Sequence, residues 1–267
     1  MKALTDGDLM QMYFRLPDVV RSEDLKQESR LKIALLGDQG SGKSWLIATA
    51  PEPIFIFDFD DRYESLAGKP GLIIKKKPSI QDVETVLNIA RSNKAQSIPN
   101  PASWAIDGVT YMIRKMEEEM FAQPINSGMF REIKIGPGHF VKARSGWDAI
   151  NAAQAKMEYW IAEFSLLGNI IFSFHEKNEK DYVKSTAKET RYTGEITVDP
   201  QFLAKTLSLF NEVFRVSVNI DNKHVVQCQP TYEVKAKTTL LLDEFEEANI
   251  KAMIAKHQLR RAQKEQK

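Results

Sequence analysis

One cysteine, Cys228, is all the thiol chemistry in 267 residues, so no internal disulfide is available and the fold must rest on packing. The four histidines, His139, His175, His224 and His257, show no paired ligand spacing with it, which argues against a structural zinc site. Both observations fit a reducing compartment. Also missing is any run of ~18 apolar residues of the kind that spans a bilayer. The opening Met1-Lys2-Ala3-Leu4-Thr5-Asp6-Gly7-Asp8 lacks an apolar signal core. The chain is therefore expected to be cytoplasmic, neither secreted nor embedded in a membrane. Charge of one sign is scarce as well: 37 Lys and Arg against 36 Asp and Glu leave a net +1. A polyanion would have to be met by local patches and not by a global field. No internal repeat is visible.

What is present is an ordinary globular composition, 43% apolar and 27% charged, in a length that suits one large domain with appendages. Residues 1–30 form a charged N-terminal arm, with a short apolar cluster (Leu9, Met10, Met12, Tyr13, Phe14, Leu16) ending at Pro17, and suit an oligomerisation segment. Residues 31–250 hold the core. From Leu31, LKIALLG reads as a fully buried strand followed at once by glycines. A helix then runs through Trp45, Leu46 and Ile47 until Pro51. PIFIFDFDD is a second strand, leaving through Asp58, Asp60 and Asp61. Ser79 and Asp82 form a capping box for a helix reaching about Asn93. SWAID is a third strand ending on Asp107, followed by a helix bearing Met112, Ile113, Met116 and Met120.

Residues 121–147 lack periodicity and predict a long loop, after which Ser145 and Asp148 cap a helix that Gly168 ends. NIIFSFH is a fourth strand, and the polar stretch 176–198 a second long loop. Asp199-Pro200 opens a further helix. FRVSVNI and HVVQCQ, turning at Asp221-Asn222, form an antiparallel hairpin. The chain is expected to be helical from Asp243 onward. Its tail, 251–267, carries six Lys or Arg against one Glu and forms a basic helical segment. Strands alternating with helices predict an α/β fold with a mainly parallel sheet and a terminal antiparallel hairpin.

The segment Gly37-Asp38-Gln39-Gly40-Ser41-Gly42-Lys43-Ser44 matches G-x-x-x-x-G-K-[ST] in full, between a buried strand and a helix. Glycines let backbone N–H groups wrap phosphates. Lys43 is placed to reach the β- and γ-phosphate oxygens and Ser44 to ligate Mg²⁺. Asp107, at the end of an apolar strand, suits the carboxylate that positions the same ion. No N-K-x-D guanine-reading segment exists, since Asn222-Lys223 continues as His224-Val225; ATP is favoured over GTP. Activating water calls for a carboxylate on the strand next to the phosphate loop, and Asp60 or Asp61 supplies it. His175 closes its strand where a ring can meet a γ-phosphate. Lys235 and Lys237, two apart on an extended segment, face one side.

The order of these pieces resembles the RecA-like P-loop ATPases, most closely the phage AAA-family type that includes the Sak-group single-strand annealing recombinases. The resemblance runs from about Leu31 to Ile250. It rests on GDQGSGKS, IFIFDFDD, WAIDGVT, NIIFSFHEKNEKD, TGEITVDPQFLAKTLSLFNEVFRV and the late Lys235-Ala236-Lys237. It implies a slow, DNA-stimulated ATP hydrolysis between subunits of a ring or filament, with ATP and Mg²⁺ as cofactors. The family usually carries glutamate where this sequence has Asp60. His175 is implied as a γ-phosphate sensor, and Lys235 and Lys237 as a pair reaching a neighbour's ATP.

The resemblance also implies two segments facing single-stranded DNA. The first is basic, with Arg131, Lys134, Lys142 and Arg144 against Glu132; the second carries Lys177, Lys180, Lys184, Lys188 and Arg191 balanced by acids. Tyr182 and Tyr192 are implied to stack on bases. A phage single-stranded-DNA-binding protein is a further implied partner, and a host cytoplasm the location if a phage encodes the chain. Two other readings stay open: a P-loop ATPase that regulates assembly with protein partners, and a ring helicase.

Overall fold

The computed structural model describes residues 30–121, 131–143, 146–179, 193–196, 205–230 and 236–265. Its centre is a nine-stranded sheet with the order β11-β10-β9-β1-β7-β4-β2-β3, and β8 paired to the extension of β7. The strands are β1 (Lys32–Gly37), β2 (Ile54–Asp58), β3 (Leu72–Lys76), β4 (Ser103–Asp107), β7 (Asn169–Glu179), β8 (Thr193–Ile196), β9 (Glu212–Val218), β10 (His224–Gln227) and β11 (Phe245–Glu247). A separate two-stranded hairpin pairs β5 (Arg131–Gly136) with β6 (His139–Ala143). From β9 through β3 every neighbour is parallel, while β10 and β11 run antiparallel at one edge. The α/β class with a mainly parallel sheet and a terminal antiparallel hairpin is thus observed.

Central strands bury both faces, which is why their sequences are unbroken apolar runs. Ala34, Leu36, Phe57, Trp104 and Phe172 face one core, with α2 (Ile80–Ala95), α3 (Val109–Phe121) and α4 (Gly146–Ser165) over them. Ile33, Leu35, Ile56 and Ile171 face a second core beneath α1 (Lys43–Ile47) and α5 (Ile250–Glu265). The capping box at Ser79 and Asp82 is present in full.

Several expectations need correction. The helix after the glycine loop ends at Ile47, short of Pro51. Residues 72–76, passed over in the sequence, form the edge strand β3; with two lysines in five residues and one side open, LIIKK has no full apolar run to announce it. The stretch 121–147 is not loop throughout, because 131–143 pair as a hairpin and α4 begins at Gly146. Likewise β7 continues past His175 to Glu179 and pairs with β8, so 176–179 and 193–196 are strand and not loop. The chain is not helical from Asp243: β11 comes first and α5 starts at Ile250. The expected helix start at Asp199-Pro200 lies outside the described residues; residues 205–208 are helical.

Topology also corrects the expected placement of the carboxylate strand. Between β1 and β2 lie β7 and β4, so Asp60 leaves a strand that is three places away from the phosphate loop and not its neighbour. The strand beside β1 is β7, and Gly37 is in register with His175.

Candidate active site

Carboxyl ends of parallel strands form a crevice where loops diverge, and ligands bind there in open α/β sheets. Here the crevice holds a cleft of about 390 Å³ whose lining includes Gly40, Gly42, Lys43, Ser44, Trp45, Asp60, Arg62, Ser65, Asp107, His175 and His224. Gly40 and Gly42 take φ of +82° and +95°, a region that side-chain-bearing residues avoid. A Cβ at Gly42 would sit 2.6 Å from His224 Nδ1, whereas one at Gly40 would meet nothing within 4 Å. The loop is therefore tight against the hairpin on one side and open toward the cleft on the other.

Lys43 is buried, and its ammonium donates to the carbonyls of Gly37 (2.7 Å) and Asp38 (2.8 Å). Those bonds lay the cation along the inside of the loop. Ser41 Oγ is buried without a hydrogen-bond partner in the loop it shares, a cost of the size that a ligand oxygen would relieve. His224, at the start of β10, meets the Ser41 carbonyl at 2.8 Å through Nδ1. An ammonium held by uncharged carbonyls, an unpaired hydroxyl and a glycine loop with no Cβ to fill it make a fit for a triphosphate.

Opposite stands an acidic wall. Asp107, buried at the end of β4, accepts from Ser173 Oγ, and that hydroxyl accepts the Gly108 N–H at 2.9 Å. Ser44 and Asp107 are the residues that would hold Mg²⁺ beside the phosphates. Among the described residues no group of three or more His, Cys, Asp or Glu could hold a metal ion. Asp58 lies beside Asp107 in register. Burial, and then the charge of Asp107, push its carboxyl above the ordinary value. It accepts N–H bonds from Asp60, Arg62 and Tyr63, which shapes the loop that follows β2.

That loop delivers Asp60 to His175. Their Oδ2 and Nε2 atoms lie 3.0 Å apart, and the Tyr111 ring meets His175 edge-on at 5.9 Å between centroids. Burial acts to raise the Asp60 carboxyl, but the hydrogen bond and charge of His175, with Arg62 and Lys43, outweigh it and hold it below the ordinary value. Asp61 turns away to pair with Lys77 at 2.8 Å. Of the two candidate carboxylates only Asp60 lines the cleft.

The sequence matches the AAA domain family AAA_24 over residues 29–240. The chain belongs to this family. It is a P-loop ATPase, a class that works with ATP and Mg²⁺. No curated protein matches the chain. Among solved structures, a KaiC-like protein from the hyperthermophilic archaeon Pyrococcus horikoshii is similar at 14% identity and a TM-score of 0.37, covering 78% of this chain and 83% of that one. No helix among the described residues of this AAA ATPase is long and apolar enough to cross a membrane.

The remaining sequence-predicted residues of the AAA ATPase fall elsewhere. Lys237 bridges Val213 near the start of β9, beside Ala34, so it stands back from this chain's own cleft; its ammonium donates to the Phe210 carbonyl at 3.0 Å. Lys235 lies outside the described residues. Arg131, Lys134 and Lys142 belong to the β5–β6 hairpin, in which Glu132 pairs with Lys142 in register and Gly136 rests on the Tyr159 ring of α4. Lys177 extends β7. Arg144, Lys180, Tyr182, Lys184, Lys188, Arg191 and Tyr192 lie outside the described residues.

Sequence reasoning missed Ser173, Arg62 and His224 as members of the site. Ser173 had a trace in the sequence, as the polar residue in the middle of the apolar run NIIFSF. Arg62 and His224 had none, because only the loop after β2 and the β9–β10 hairpin bring them to the cleft. Arg62 stands 3.7 Å from Asp60, and the Gln39 side-chain oxygen, with the amide turned to suit its neighbours, accepts from the same guanidinium.

A pH-dependent stability effect follows from Asp60. A depressed carboxyl contributes stability above its unfolded value and loses it as pH falls through the folded one. The Asp60→Asn variant is expected to be less stable than the parent by about 1–2 kcal/mol at neutral pH, with the gap closing below about pH 4. Urea unfolding of both proteins across pH checks this; a gap that persists in acid would show that something other than the carboxylate charge is responsible.

Proposed function

We propose that this ATPase is an ATP-dependent single-stranded-DNA-binding protein of the recombinase or annealing kind, acting as a ring or filament with each ATP between subunits. The observation that supports it is one uninterrupted strand. β7 carries His175 into the cleft beside Asp60 and then runs on to Glu179, pairing with β8 to open the segment in which the second DNA-facing stretch is expected. A change in the partner of His175 is thereby applied to the base of that hairpin. In this reading Asp60 and a γ-phosphate compete for the ring. Exchanging one for the other biases an element with two arrangements, as switch segments do in nucleotide-driven proteins.

The sequence of the β5–β6 hairpin carries Arg131, Lys134 and Lys142 against Glu132. In the proposed assembly Lys235 and Lys237 serve a neighbour's ATP, which agrees with the distance of Lys237 from its own chain's cleft. The deciding experiment is ATP turnover with and without a single-stranded oligonucleotide. Turnover should rise several-fold, and oligonucleotide affinity should fall with salt at a log–log slope of about 0.7 per neutralised phosphate. Lys142→Ala with Arg144→Ala should weaken retention on the oligonucleotide without lowering basal turnover. Turnover indifferent to DNA at every salt concentration would remove the DNA reading and leave an ATPase that switches a protein partner.

A further inference from the structure

Helix α1 presents two kinds of surface. Leu46 and Ile47 are fully buried in the core beneath the sheet, whereas Trp45, one residue past Ser44, is 46% exposed. Trp104 and Trp160, by contrast, are 3% and 0% exposed within the main core. A single exposed aromatic would need no explanation. This one lines the cleft that holds the phosphate loop, as Ser65 and Arg62 also do. It is also held: the Lys69 ammonium lies 4.0 Å from its ring centroid, where a cation–π contact restrains the ring. The 3₁₀ turn Tyr63–Leu66 packs against α1, which brings Ser65 to the cleft and leads the chain on to Lys69.

The lining of the cleft thus joins two kinds of chemistry. Gly40, Gly42, Lys43, Ser44 and Asp107 suit phosphate and metal. Trp45 adds a half-exposed π-surface, with the Lys69 ammonium over its ring. We propose that Trp45 is the platform on which the purine base of the bound nucleotide stacks, its ring held in place by Lys69. The proposal rests on the phosphate-loop assignment. Stacking on an indole is tolerant of base identity, because every base has a π-face. The platform thus adds affinity for nucleotides over bare polyphosphate and does little to separate adenine from guanine.

Calorimetric titration of the full chain with Mg-ATP and with Mg-tripolyphosphate, which has phosphates and no base, tests this directly. Trp45→Ala is expected to weaken ATP on the order of tenfold and to leave tripolyphosphate affinity unchanged, while Trp45→Phe keeps most of the ATP affinity. Unchanged ATP affinity in Trp45→Ala overturns the platform, as does an equal loss for both ligands. A loss of ATP affinity in Trp45→Ala that appears only together with dissociation of an oligomer also overturns it, since the ring would then be serving a subunit contact. Lys43→Ala, titrated in parallel, separates the two layers of the argument. If it binds both ligands as the parent does, the phosphate-loop assignment fails; if it loses both while Trp45→Ala behaves like the parent, only the platform fails.

Discussion

Replacing Lys43 with alanine is expected to lower ATP turnover by at least ~100-fold, the scale on which single groups aimed at developing phosphoryl charge act. The structure says why the loss should be large and confined to function. Lys43 is 5% exposed, and its ammonium lies inside the loop on two main-chain carbonyls, which solvate it without cancelling its charge. A triphosphate entering the cleft meets a cation already desolvated and already directed inward, so little reorganisation opposes the interaction. Alanine removes that charge, but it also removes the burden of keeping an ion out of water. The two effects on folding oppose one another, and the unfolding free energy should change by no more than about 1 kcal/mol. A steady-state ATPase assay beside a urea titration reads both quantities. A variant that turns over ATP like the parent would dislodge the site from this loop altogether.

Asp107→Asn is the second change with a large expected effect. The two side chains have nearly the same shape, so the contacts of Ser173 and Gly108 persist in outline, yet the amide lacks the charge that a divalent cation requires. Turnover is expected to fall on the order of 100-fold, with partial recovery as Mg²⁺ is raised. Ser173→Ala makes a graded comparison. It removes the hydroxyl that donates to Asp107 and accepts the Gly108 N–H, so it should lower stability by about 1 kcal/mol and turnover far less than Asp107→Asn. Equal losses in the two variants would mean that orientation by Ser173, and not the charge of Asp107, limits the site. Asp58 provides an internal check: burial raises its carboxyl first and the charge of Asp107 adds to it. Asn at 107 removes the second cause and should bring the Asp58 carboxyl down, a change visible by NMR titration.

The contrast between Asp60 and Asp61 shows where sequence reasoning stopped. Both leave β2 in succession, and residue type cannot tell them apart. Asp58, by accepting three N–H groups from the loop, turns one inward to His175 and the other outward to Lys77. Strand order was likewise hidden. A parallel sheet is built from long-range pairings whose register no local pattern encodes. Local pattern alone points to the carboxylate strand lying next to β1, whereas β7 and β4 stand between. The hairpin at 131–143 and the pairing of 176–179 with 193–196 look like loop in the sequence, since short polar strands carry little periodicity.

What the amino-acid order determined alone was everything that depends on neighbours along the chain. That covers the glycine loop with Lys43 and Ser44, the buried strands LKIALLG, PIFIFD, SWAID and NIIFSFH, the capping box at Ser79 and Asp82, and the antiparallel turn at Asp221-Asn222. Backbone conformation, helix capping and apolar periodicity act over a few residues, so the sequence shows them directly. Tertiary structure alone decided which side chains share the cleft. Asp60 meets His175 across 115 positions and His224 meets Ser41 across 183. Such meetings are set by how strands are ordered and helices layered to bury two cores, a choice made by the whole chain at once.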